Sequence, residues 1–134
     1  MANQLNPIVV TNTLLKIDLQ SQTVVASIGL SREVENGSGS AISGHYLYLP
    51  SSAGEIIKID MNTFTEVAIL DMPNWCMSIS ADDKYIFYGS YTGTTWQDSR
   101  DVLYRVDVNS FQQKDMLDLG PYEGINWAII HKMQ

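Results

Sequence analysis

The chain has 134 residues, 8 basic against 15 acidic side chains and a formal charge of −7, with 45% apolar and 17% charged content. One domain fits that length and has apolar surface for a core, which excludes disordered, collagen-like and low-complexity classes. The acidic balance lacks the clustered Lys and Arg that phosphate neutralisation needs, and no stretch reads as a leader or a membrane span, so a cytoplasmic protein with no nucleic-acid or membrane partner is expected.

In chain order, the first apolar runs predict strands at Ile8–Thr11, Leu14–Leu19 and Thr23–Gly29, separated by short polar turns. A second group follows at Ser40–Ser43, His45–Pro50, Glu55–Met61 and Thr65–Met72. A third comprises Trp75–Ser80, Lys84–Ser90, Val102–Val108 and Gln113–Leu119, and a last strand falls at Asn126–His131. No segment keeps a 3.6-residue apolar period long enough for a helix. The reading is all-β.

The groups are copies of one unit. Lys16-Ile17-Asp18 recurs as Lys58-Ile59-Asp60 and as Arg105-Val106-Asp107, with the Asp residues 42 and 47 positions apart. Tyr46-Leu47-Tyr48-Leu49-Pro50-Ser51-Ser52 recurs 39 positions on as Tyr85-Ile86-Phe87-Tyr88-Gly89-Ser90-Tyr91. A period near 40 with several short strands per unit belongs to four-stranded propeller blades. The expected single domain, 1–134, is a half-propeller: blade 1 from 7–30 with a closing innermost strand at 125–131, blade 2 at 39–72 and blade 3 at 74–120. Three blades subtend too little angle to close a ring, so either the sequence is a fragment of a longer propeller or chains assemble, two copies giving the expected homodimer of six blades.

At this point the residues carry a resemblance. Ile8-Val9-Val10-Thr11-Asn12 followed by Leu15-Lys16-Ile17-Asp18 and Thr23-Val24-Val25-Ala26-Ser27-Ile28-Gly29 resembles the YVTN-type propeller repeat. Ser78-Ile79-Ser80-Ala81-Asp82-Asp83-Lys84-Tyr85-Ile86 is similar to the turn between the first two strands of a blade in that family and its WD40-like relatives. The departures are a missing Pro-Asp-Gly in that turn and the insert Tyr91–Asp101. The resemblance implies a propeller fold and leaves function open, since the family includes binding platforms, lactonase-like hydrolases and dehydrogenase subunits.

Propeller ligands sit where the connections between blades and the hairpins of the second and third strands converge. That analogy selects Asn74, Trp75, Tyr122, Glu123, Asn126 and Trp127 on the inter-blade connections, and Trp96 and Arg100 in the insert. Asn74-Trp75 and Asn126-Trp127 each follow a proline, Pro73 and Pro121. They form either a polar and aromatic rim for a small ligand or partner peptide, or turn caps and inter-blade packing. No cofactor is required. The alternative is a metal-dependent, lactonase-like hydrolase in which Asn74, Glu123 and Asn126 hold a divalent cation such as calcium, and a second alternative is a purely structural interaction protein. Asp18, Asp60 and Asp107, each with a Ser or Thr three residues on, read as turn-forming side chains. His45 and His131 read as structural, and Cys76 as a buried, inert thiol in a chain with no second cysteine for a disulfide.

Overall fold

The computed structural model describes residues 5–10, 12–35 and 37–123. They form eleven strands: β1 (Leu5–Val10), β2 (Thr13–Asp18), β3 (Thr23–Gly29), β4 (Ala41–Ser43), β5 (Tyr46–Pro50), β6 (Glu55–Asp60), β7 (Thr65–Asp71), β8 (Ser78–Ala81), β9 (Tyr85–Thr92), β10 (Arg100–Asp107) and β11 (Gln112–Pro121). Each strand pairs antiparallel with its chain neighbour, giving sheets β1-β2-β3, β4-β5-β6-β7 and β8-β9-β10-β11. These are the blades that the repeat implies, stacked face to face with the innermost strands β4 and β8 close together. The expected closing strand at 125–131 lies outside the described residues.

The recurring Asp explains the recurring hairpin. Asp18 Oδ1 accepts the Gln20 N–H at 2.9 Å, Asp60 Oδ1 accepts Asn62 N–H at 2.9 Å, and Asp107 Oδ1 accepts Asn109 N–H at 2.8 Å. Four positions after each Asp stands Gln22, Phe64 or Phe111, with φ of 56°, 53° and 51°. This left-handed residue turns the chain into the outer strand, which then bulges at the same place in every blade, at Val25, Val67 and Lys114.

Two apolar layers hold the blades together. Between blades 1 and 2 lie Leu14, Leu47, Leu49, Ile57, Ile59 and Phe64; between blades 2 and 3 lie Tyr48, Ile56, Ile79, Ile86, Tyr88, Val102, Tyr104 and Val106. Blade 2 is therefore covered on both faces, which explains why β5 and β6 read as nearly continuous apolar runs rather than as alternating strands.

Three local expectations are corrected. The innermost strand of blade 3 begins at Ser78, so Trp75 and Cys76 precede it. The carbonyls of Asn74, Trp75 and Cys76 accept hydrogen bonds from Tyr88 Oη (2.7 Å), Ser90 Oγ (2.5 Å) and Ser38 Oγ (2.7 Å), so that stretch bonds to side chains instead of a ladder. The two ends of the insert Tyr91–Asp101 extend the hairpin: Tyr91 pairs with Asp101 and Thr92 with Arg100, leaving Gly93–Ser99 as the loop. His45 sits in the turn before β5, exposed, with its ring 4.1 Å from that of Tyr46 and Nε2 3.8 Å from Asp60 Oδ2.

Candidate functional site

The β9–β10 loop, the end of β11 and the connection before β8 come together at one end of blade 3. Asp98 builds the loop, its Oδ1 accepting Thr94 N–H (3.1 Å), Thr95 N–H (2.7 Å) and the Thr95 hydroxyl (2.9 Å). The bonds from Thr95 hold its carboxyl below the usual carboxylate range. Gly93 turns the chain at φ +97°, and any Cβ there would stand 2.7 Å from the Asp98 carbonyl oxygen. The loop end is thereby folded back on itself rather than splayed into solvent.

That shape leaves a cleft of about 310 Å³ lined by Tyr91, Gly93, Thr94, Thr95, Trp96, Ser99 and Tyr122. Three of these are aromatic and none is charged. Trp96 meets Tyr122 edge to face at 5.0 Å between ring centres, and Tyr91 meets Tyr122 at 6.0 Å. Trp96 is nevertheless 77% exposed, so the indole offers a bare face to solvent. Tyr122 is fixed by its N–H, which donates to the Ser99 carbonyl at 3.0 Å.

Of the residues the sequence singled out, the structure brings Trp96 and Tyr122 together. Asn74 stands behind the cleft, its side-chain amide donating to the Tyr91 carbonyl at 2.6 Å. It ties the inter-blade connection to the hairpin across 17 positions of sequence. Trp75 is exposed beside Gly54 of blade 2, away from the cleft. Arg100 pairs with Asp118 at 2.8 Å across β10 and β11 and lines no part of the cleft. Glu123 donates its backbone N–H to Asp101 Oδ2 at 2.8 Å. Asn126 and Trp127 lie outside the described residues, as does His131.

Of the suggested cation set, Asn74 donates its amide nitrogen to Tyr91, Glu123 donates its backbone N–H to Asp101 and Asn126 lies outside the described residues; among the described residues no three His, Cys, Asp or Glu side chains gather in a group able to hold a metal ion. Cys76 is buried, its thiol donating to the Ser78 carbonyl at 3.2 Å, and burial pushes its pKa up to about 12, which makes it inert. Sequence reasoning missed two residues. Tyr91 was read as the first residue of a loop, yet its ring completes the aromatic cluster. Asp101 is almost fully buried, with Oδ1 lacking a hydrogen-bond partner among the described residues. A carboxylate at the start of a strand, one position before its apolar run, carries no period that marks it as buried.

No protein-family model matches the sequence, and no curated protein matches it. Solved structures do. A Kuenenia stuttgartiensis hydrazine synthase superposes with a TM-score of 0.71 at 14% identity, covering 87% of this chain and 32% of that one. The Neurospora crassa Pan2 WD40 domain gives 0.65 at 16% identity, over 84% and 35%. BamB from Moraxella catarrhalis gives 0.59 at 14% identity, over 80% and 30%. The chain therefore spans about a third of the length of these structures. At such identities the likeness establishes fold and carries no activity across. The chain is built of β-propeller blades, as WD40 proteins are.

Proposed function

We propose that the chain is a binding module in which the cleft between Tyr91, Trp96 and Tyr122 takes an uncharged, ring-bearing small molecule or the aromatic side chain of a partner peptide. The observation that carries this reading is the exposed indole of Trp96, set against Tyr122 over a concave surface with no charged lining residue. Exposing an indole to water is unfavourable unless something covers it, and a planar or ring-shaped apolar face covers it best. Thr94, Thr95 and Ser99 add hydroxyl oxygens that accept hydrogen bonds at the margin.

The test is titration with two neutral probes, indole and maltose, followed by tryptophan fluorescence and saturation-transfer NMR. At least one probe is expected to give a saturable response that Trp96→Ala weakens by about tenfold or more, with the unfolding midpoint unchanged. No saturable response to either probe, or equal binding by Trp96→Ala, overturns the reading.

A further inference from the structure

The blades dock by a repeated contact. Lys16 of blade 1 places its Nζ 5.6 Å from the ring centre of Phe64, the left-handed residue in the outer hairpin of blade 2. Lys58 of blade 2 does the same to Phe111 of blade 3 at 5.4 Å, and also lies 4.1 Å from its own Tyr46. Each blade thus presents a cationic side chain to the hairpin of the next.

Blade 3 repeats the presenting face, and among the described residues no hairpin receives it; its Arg105 is held by Asp115 of the same blade, Nε donating to Oδ1 at 2.9 Å. Register aligns Phe87 with Tyr48, Leu103 with Ile56, Arg105 with Lys58 and Leu117 with Leu70. Arg105 lies 4.3 Å over Tyr85, as Lys58 lies over Tyr46. In blade 2 this face is closed by blade 3: Tyr48 and Ile56 are fully buried and Leu70 packs against them. In blade 3, Leu117 is 57% exposed, and Phe87, Leu103, Arg105, Asp115, Met116 and Leu117 line an open groove of about 300 Å³. At the other end of the stack, no other blade packs on the receiving face of blade 1 among the described residues, where Leu15 and Ile17 are half-buried. These two occupy the positions of Ile57 and Ile59, which are buried in blade 2. Val24, paired with Ile17, is exposed where the equivalent Glu66 of blade 2 reaches Ser31 of blade 1.

We infer that the groove on blade 3 is a docking face whose occupant is blade 1 of a second copy of this chain, with the two reciprocal contacts closing six blades. Among the described residues the two faces match the two halves of one contact that the chain already makes twice. A head-to-tail contact of this kind closes a ring when its rotation permits, and six blades fall within the range of about 4–8 known for propellers. At this junction Arg105 meets Gln22, which stands where blades 2 and 3 carry Phe64 and Phe111. An amide oxygen accepts a guanidinium hydrogen bond, so Arg with Gln replaces Lys with Phe.

The experiment uses two substitutions at exposed positions, Leu117→Asp and Val24→Asp, each checked for native circular dichroism. Sedimentation velocity of the unaltered chain should give a species of twice 15.0 kDa, and each variant alone should sediment at 15.0 kDa. A mixture of the two variants retains one intact contact, since one copy supplies blade 1 and the other blade 3, and should restore a one-to-one dimer. A folded monomer of the unaltered chain, open assemblies larger than two, a variant that stays dimeric, or a mixture that fails to recombine each overturns the inference. Failure of the cleft to bind indole or maltose leaves these results unaffected, so the two proposals stand or fall separately.

Discussion

Two buried tyrosines at the same inter-blade layer have opposite accounts. Tyr48 and Tyr88 are both fully buried, and burial raises both phenol pKa values, that of Tyr48 to about 12. The Tyr88 hydroxyl donates to the Asn74 carbonyl at 2.7 Å, whereas that of Tyr48 has no hydrogen-bond partner among the described residues. Removing the Tyr88 hydroxyl orphans a carbonyl; removing the Tyr48 hydroxyl relieves a desolvated donor. Tyr88→Phe is expected to cost about 1 kcal/mol and Tyr48→Phe to be neutral or stabilising by a similar amount, compared by urea unfolding. Asn74→Ala should cost about 1–2 kcal/mol in the same assay, because the Tyr91 carbonyl loses its donor. Of the cleft, Trp96 and Tyr122 were legible as an aromatic and a loop-end residue. Tyr91 was not, because only pairing with Asp101 decides that it extends the hairpin and turns its ring toward Tyr122.

The outer hairpin is the most repetitive element, and its chemistry is local. Asp107 is held below the usual carboxylate range, first by the Ser110 N–H and further by that of Asn109; Asp118 is lowered by its pairing with Arg100. A carboxyl depressed in the folded chain contributes stability above its unfolded pKa of about 3.9, and that contribution is lost as pH falls through the folded value. The melting temperature should therefore hold steady above about pH 5 and drop below about pH 4. Asp107→Asn keeps the turn-forming oxygen and removes the titrating group, so its acid slope should be shallower, a comparison made by melting both proteins from pH 2 to 7. Strand order and hairpins were readable from sequence because each Asp, turn and left-handed residue acts within about six positions. The start of β8 was not, because its upstream carbonyls bond to Ser38, Tyr88 and Ser90, far away in sequence.

At the scale of the whole molecule, blade 2 is the keystone, with apolar side chains on both faces. Ile57, fully buried against blade 1, is expected to cost about 2–5 kcal/mol when replaced by Ala. If a second copy closes the ring, the melting temperature should also rise with protein concentration over the micromolar range, since association stabilises only the folded chain; differential scanning calorimetry at several concentrations reads it.

By itself the sequence determined the blade. The 42- and 47-residue spacing of Asp18, Asp60 and Asp107, and the alternation of apolar runs with turns, set the strand order and the hairpins, because both depend on neighbours close in the chain. Tertiary structure alone decided which faces meet. Tyr48 and Phe87 occupy equivalent positions with similar chemistry, yet one is sealed by a neighbouring blade and the other lines an open groove. Burial is a property of what packs on a residue, and residues on separate blades meet only after the sheets have formed.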